Sequence, residues 1–342
     1  MTYDPANTST ARYLANLSRQ SAAQPQPATP APASRRWYLL LAILILVPVA
    51  VIQLPRELIK WQLAAGLEHR LEGDLAAAIR CADLALERDP DYLEAQVMRA
   101  QWKQDAGDRT GALADCNAIV ARHESDVALT LRAHALQQLG RHDEAVADYE
   151  KVLVLATAVA NRVRSTAGDL AEANALNGLA YAQALANQDL DDALVNIDTA
   201  LDIIDHTIEK FRRSGSSGML SQWFASAGRD LRIAQLESAK IALLDTRGFV
   251  YFRRGEWELA DADMQEAIAR AEEEYDQNLK LLAFTEVDPR YLKLQRRDLR
   301  HSLAVIRYHG ALVQEALGNE TQAARNLARV RELGEQPGEH LF

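Results

Sequence analysis

The sequence predicts an all-α solenoid of stacked helical hairpins, preceded by one transmembrane helix and a disordered N-terminal tail. Three observations predict it. Residues 37–54 contain no Asp, Glu, Lys, Arg or His. A glycine-led helix start recurs at Gly73, Gly107 and Gly140, at steps of 34 and 33 residues. The chain of 342 residues is 48% hydrophobic and 25% charged, the balance of a folded protein rather than a wholly disordered one.

The tail comes first. Residues 1–34 are rich in Ala, Ser, Thr, Gln and Pro, and the segment Gln24-Pro25-Gln26-Pro27-Ala28-Thr29-Pro30-Ala31-Pro32 lacks the amide donors a helix needs. It is expected to be disordered and partly polyproline II.

The span follows, within 35–57. Trp37 to Leu54 includes Leu46 and runs through Pro48, which membrane helices tolerate. Eighteen residues at ~1.5 Å rise give roughly 27 Å, near the ~30 Å hydrocarbon core. Trp37 and Tyr38 at one end and Trp61 past the other suit the two interfaces. The rival is a cleaved export signal, because Ser34-Arg35-Arg36-Trp37-Tyr38-Leu39 is similar to a twin-arginine signal. It is disfavoured: the run exceeds the ~7–15 residues of a signal core, and no Ala-x-Ala site follows directly. Basic residues near the two ends tie, Arg19, Arg35 and Arg36 against Arg56, Lys60 and Arg70. The Arg35-Arg36 pair abuts the membrane and favours an inner-membrane, single-pass topology with the C-terminal domain on the outer, periplasmic side.

The repeats begin within a few residues of the span. Gly73-Asp74-Leu75-Ala76-Ala77-Ala78-Ile79 opens a helix ending near Asp89-Pro90. Gly107-Asp108-Arg109-Thr110-Gly111-Ala112-Leu113 and Gly140-Arg141-His142-Asp143-Glu144-Ala145-Val146 open equivalent helices. Each glycine breaks one helix, and an alanine five residues on lies where two helices cross closely.

This pattern resembles the tetratricopeptide repeat family, whose unit is an antiparallel helix pair with a small residue in the first helix, Gly at the turn and Ala in the second. The matching positions are Gly66, Gly73 and Ala78; Ala100, Gly107 and Ala112; Ala133, Gly140 and Ala145; Gly248, Gly255 and Ala260; and Ala311, Gly318 and Ala323. A looser unit lies between the third and these last two, around Gly178 and Ala193. The resemblance implies three repeats over 59–159, further repeats with extended helices over 160–337, and a short tail at 338–342, with a total of five to seven units. The long runs from Asp189 to Arg213, Trp257 to Phe284 and Pro289 to Leu317 exceed an ordinary repeat.

Function follows from this architecture as an expectation: a non-enzymatic, membrane-anchored scaffold that binds a protein or peptide partner, itself membrane-bound. The family's groove-lining positions imply Leu63, Leu67, Arg70, Val97, Gln101, Gln104, Thr130 and His134 as a candidate partner groove. That set lacks the paired Asn and convergent cations with which some members grip a chaperone's C-terminal carboxylate. A partly apolar peptide or helix fits it better. The alternatives are a self-assembling structural protein of the envelope and an exported soluble protein with its signal removed.

Chemistry and other partners find little support. No phosphate loop, dinucleotide fingerprint, zincin motif or nucleophile elbow occurs, so no catalytic residue, cofactor or metal is expected. Lys and Arg total 38 against 48 Asp and Glu, a net charge of −10. Six of the bases and two of the acids precede residue 61, leaving the array at about −14, which disfavours nucleic acid. Cys81 and Cys116 occupy equivalent points of neighbouring helices and read as packing residues. His301 and His309 read as solvent-facing or capping, Glu272-Glu273-Glu274 as a solvated helix face, and Arg212-Arg213, Arg253-Arg254 and Arg296-Arg297 as ordinary surface charge.

Overall fold

The computed structural model describes residues 35–163, 165–213, 219–284, 289–338 and 341; side chains are described for 38, 44, 56–162, 165–213, 228–280, 290, 292–338 and 341. The described residues form twelve helices and no strand: α1 (Arg35–Glu72), α2 (Leu75–Arg88), α3 (Leu93–Asp105), α4 (Arg109–Arg122), α5 (Asp126–Gln138), α6 (His142–Val163), α7 (Thr166–Ala186), α8 (Leu190–Arg213), α9 (Met219–Arg254), α10 (Trp257–Phe284), α11 (Pro289–Ala316) and α12 (Glu320–Glu332). The chain divides into two compact units, 1–58 and 59–342.

In the first unit the tail expected at 1–34 lies outside the described residues. The apolar stretch 37–54, including Trp37, Leu46, Pro48 and Leu54, falls within α1, but those four side chains are outside the described set. Tyr38 and Leu44 are described and are exposed. Among the described residues no helix is long and apolar enough to cross a membrane.

In the second unit α3 to α12 pair as five consecutive hairpins, and the end of α1 shares a core cluster with α2 as a sixth. The turn inside each hairpin has one local cause. At Gly140, φ is +71°, a region where a Cβ is strained, and the glycine amide donates to Gln137 O at 2.9 Å while Arg141 N donates to Leu136 O at 2.9 Å. These two bonds satisfy the last carbonyls of α5 and turn the chain directly into α6. Gly73, Gly107, Gly255 and Gly318 share the left-handed conformation. In the fourth hairpin Asn187, with φ 55°, takes the glycine's place. That substitution explains why this unit is the hardest to see in the sequence: asparagine tolerates the left-handed region but leaves no glycine to mark the period.

Helix starts are set by side-chain caps. The Asp74 carboxylate accepts from Ala77 N at 2.8 Å, Asp108 from Gly111 N at 2.9 Å, and Ser125 from Ala128 N at 3.2 Å. Pro289 supplies the first turn of α11, where its missing donor costs nothing.

The crossings are held close by small residues. Ala78, Ala100, Ala112, Ala133, Ala145, Ala260 and Ala311 have no exposed surface, and Ala323 has 3%. Gly66 is the tightest case: a Cβ there would sit 2.5 Å from the Trp102 ring, so α1 and α3 approach only because that position is bare. The core is a chain of clusters running along the array. One centres on Ile59, Leu63 and Trp102, the next on Ile119, Leu129 and Tyr149, the last on Ile197, Ile204, Met264 and Leu303. Leu341, 3% exposed, packs into the last cluster with Val330 and Leu333. Each fully buried Leu, Ile or Met contributes about 1.5–3 kcal/mol, and none of the hairpins buries its apolar face alone.

Within this unit the chain returns on itself. Arg290 of α11 contacts Glu68 of α1 at 2.6 Å, and Arg297 lies 3.6 Å from Asp105 of α3.

Candidate functional site

The groove residues separate into two groups. Gln101 and Gln104 on α3 and Thr130 and His134 on α5 line one cavity of about 610 Å³. Its far wall comes from α7 through Asn174, Asn177 and Gly178, and its floor from α6 through Tyr149, Val152 and Ala156. The first helices of three successive hairpins therefore form its walls, and a second helix closes its base. Gln104 Nε2 donates to Leu131 O at 3.3 Å, which ties α3 to α5. The His134 and Tyr149 rings stand 6.3 Å apart at 52°. Burial pushes the Tyr149 pKa above its ordinary value, so the hydroxyl stays protonated. Gly178 lets α7 lie against Tyr149: a Cβ there would be 2.3 Å from the ring.

The other four groove candidates lie elsewhere. Leu63 is a correction: it is 4% exposed and packs with Ile59 and Trp102 in the first core cluster. Its helix turns that side inward because the bare Gly66 brings Trp102 onto it. Val97 is half-buried against the second cluster. Arg70 is committed to Asp105, with Nε donating at 2.8 Å. Leu67 is exposed but does not line the cavity.

A second arrangement has no counterpart in the sequence expectations. Arg132 of α5 donates through Nε and Nη2 to the two oxygens of Asp148 on α6, at 2.7 and 2.5 Å, and through Nη1 to Asn117 of α4 at 3.4 Å. Arg99 makes the same fork to Asp115, at 2.8 and 2.7 Å, and reaches back to Asp83 at 2.9 Å. Arg247 forks to Asp263, at 2.7 and 2.8 Å, and reaches back to Asp198 at 3.0 Å. In each case the acid follows the arginine by sixteen residues. The bond to Asp263 raises the Arg247 pKa above its ordinary value. The spacing was visible in the sequence, but no single-helix pattern links positions sixteen apart, so only the hairpin geometry gives it meaning.

These observations meet the comparisons with known proteins. A family model described as tetratricopeptide repeat matches residues 127–156, which cover most of α5 and the first two thirds of α6. That stretch is matched as a tetratricopeptide repeat. Among solved structures, a tetratricopeptide repeat protein from Parabacteroides merdae ATCC 43184 is 17% identical, covering 81% of this chain and 94% of that one, with a TM-score of 0.38. The human IFIT1 dimer with PPP-AAAA is 14% identical, covering 84% of this chain and 66% of that one, with a TM-score of 0.31. The search of curated proteins finds no match.

Three further expectations for the helical array are corrected by its packing. His309 does not face solvent: it is fully buried, and its Nδ1 lies 2.9 Å from Asp245 Oδ1 while its ring stacks on Phe249 at 4.7 Å. Its helix α11 is covered by α9 on that side. Glu272 is not part of a solvated face, because Arg307 and Arg329 from α11 and α12 both bond it, at 2.7 and 2.8 Å. Arg253 is not ordinary surface charge; it is half-buried and lines a second cavity. The two cysteines are free thiols. Burial pushes the Cys116 thiol up to about 12, with the neighbouring Asp115 adding to the shift. Among the described residues no cluster of His, Cys, Asp and Glu has metal-holding geometry.

Proposed function

We propose that this tetratricopeptide-repeat protein is a membrane-anchored interaction scaffold whose concave cavity receives a partly apolar peptide or helix of a partner protein. The observation that carries the reading is the cavity itself. It is walled by the first helices of three successive hairpins, floored by Tyr149, Val152 and Ala156, and edged by the amides of Gln101, Gln104 and Asn174. An apolar floor and a polar rim of amides with one acid, Asp126, suit a peptide read by a few side-chain anchors and hydrogen bonds. Tetratricopeptide repeats serve typically as protein-interaction modules, which agrees with this use of the groove.

The anchor is the uncharged run at 37–54. Trp61, one turn past Arg56-Glu57-Leu58, is 69% exposed, as an aromatic at a membrane interface needs to be. The protein then sits in the inner membrane with residues 59–342 on the outer side, close to a partner that is membrane-bound.

Protease treatment of sealed cells carrying a C-terminal tag tests the topology. Loss of the tag from a full-length starting band is the expected result. Protection of the tag would reverse the orientation, and a starting band short by the first fifty or so residues would replace the anchor with a cleaved signal. A photo-crosslinking amino acid at Thr130 or Gln104 tests the groove. It is expected to trap one partner that the same group at exposed Val159, on α6, does not trap; equal trapping at both places would remove the groove from the proposal.

A further inference from the structure

A cavity of about 510 Å³ lies at the turn edge of the second and third hairpins, where they meet the ends of α9 and α11. It is separate in composition from the partner groove, with which it shares no lining residue. Three of its lining residues carry a buried polar atom with no hydrogen-bond partner: Gln137 Nε2, His142 Nδ1 and Arg253 Nε. Buried donors are nearly always satisfied, so three around one cavity need an explanation. They come from three elements: the last turn of α5, the first residue of α6 and the last turn of α9.

Charge adds an independent observation. Arg109 also lines the cavity, with Nη1 donating to Gln138 O at 3.0 Å. No Asp or Glu lines it, in an array whose net charge is about −14. Burial lowers the His142 pKa; Asp143 on the same helix opposes this, and Arg253 adds a smaller lowering, as expected where two basic groups share one space. The remaining wall is apolar and aromatic, from Leu185, Phe249, Phe252 and Tyr308. Cationic and amide donors on one side and aromatic rings on the other define an amphiphilic anion site, and the volume falls within the ~300–1,000 Å³ of small-molecule pockets.

We propose that this cavity binds a small organic carboxylate, with the oxyanion held by Arg253, His142 and Gln137 and the apolar body against Phe249 and Phe252. A guanidinium takes a carboxylate bidentately, and the neighbouring imidazole and amide donors complete the lone pairs. Occupancy would join the second and third hairpins to the fifth and sixth through the ligand.

Calorimetric titration of the full chain in detergent tests this with four probes: phenylacetate, hexanoate, neutral phenylacetamide and inorganic phosphate. At least one of the two organic acids is expected to bind at millimolar concentration or below, while phenylacetamide and phosphate bind at least tenfold more weakly. Arg253→Gln is expected to weaken the acid tenfold or more while the helical content by circular dichroism is kept. Leu312→Trp, which fills the cavity from α11 without altering charge, is expected to do the same, and it answers the question if Arg253→Gln fails to fold. The proposal is overturned if neither acid binds, if phenylacetamide binds as well as phenylacetate, or if phosphate binds as tightly as the acids. Unchanged affinity in a folded Arg253→Gln or Leu312→Trp protein overturns it too. None of these outcomes bears on the partner groove.

Discussion

Replacing Arg132 with Met should destabilise the array more than replacing Asp148 with Ala, although both remove the same ion pair. The Asp148 side chain is 5% exposed and the Arg132 side chain 21%. With Arg132→Met the carboxylate is left buried without a cation, and breaking a buried pair in this way costs about 3–5 kcal/mol. With Asp148→Ala the guanidinium keeps Asn117 and turns partly to water, so the loss is nearer ~2 kcal/mol, the worth of a charge-assisted fork less the solvation regained. The double variant leaves neither charge stranded and should cost less than the two singles added, by about 1–3 kcal/mol. Urea unfolding of the full chain in detergent, followed by circular dichroism, measures all four proteins. Equal losses for the two single variants, or strict additivity in the double, would refute the claim that the pair is desolvated and asymmetric.

The remaining predictions concern backbone, thiols and protonation. Gly140→Ala meets no neighbouring atom but forces a Cβ into the left-handed region at φ +71°, so it should lower stability by about 1–2 kcal/mol without moving the helices. Gly66→Ala has ordinary backbone but drives a methyl to 2.5 Å from Trp102; about 1–3 kcal/mol should be lost, with a change in Trp102 fluorescence that Gly140→Ala does not produce. Cys116, fully buried with its thiol pushed up to about 12, should resist iodoacetamide at pH 8 until urea unfolds the protein, as read by mass spectrometry. His142 has a pKa held below the ordinary 6.5, so its contribution to stability is present above that value and is lost as pH falls through the folded pKa. His142→Gln should therefore flatten the fall in thermal midpoint between neutral and mildly acidic pH.

The hairpin architecture was legible because its turns are local events. A glycine in the left-handed region with two closing bonds leaves a mark that one position and its spacing reveal, and Gly73, Gly107, Gly140, Gly255 and Gly318 all carry it. The fourth turn was obscured because Asn187 does the same work with different chemistry. Part of one cavity's lining was legible for the same reason: Gln101, Gln104, Thr130 and His134 follow from which helix of each pair faces inward. Leu63 failed because its burial is decided by Gly66 and Trp102, a contact between two different hairpins. His309, Glu272 and Arg253 failed at longer range. The surroundings of His309 and Glu272 come from α9, α10, α11 and α12 packing together, with Asp245 sixty-four residues from His309 and Arg329 fifty-seven from Glu272, and those of Arg253 include the far earlier Gln137 and His142. Helical periodicity carries no information at that separation.

The arginine forks set a rule of composition for the array. Arg99 and Arg247 each hold the second helix of their own hairpin and, through the remaining nitrogen, an acid on the second helix of the hairpin before; Arg132 does the same with Asn117 in place of the earlier acid. A hairpin is thus incomplete as a transferable block, since it needs an acceptor on its predecessor and supplies one to its successor. Duplication or grafting of a unit would succeed where the cut preserves both halves of that exchange and would strand a half-buried guanidinium where it does not. At the far end the exchange is reversed: Arg307 takes its acid, Glu272, from the preceding hairpin and only an amide, Asn326, from its own. This hairpin therefore takes its charge partner from its neighbour and only an amide from itself.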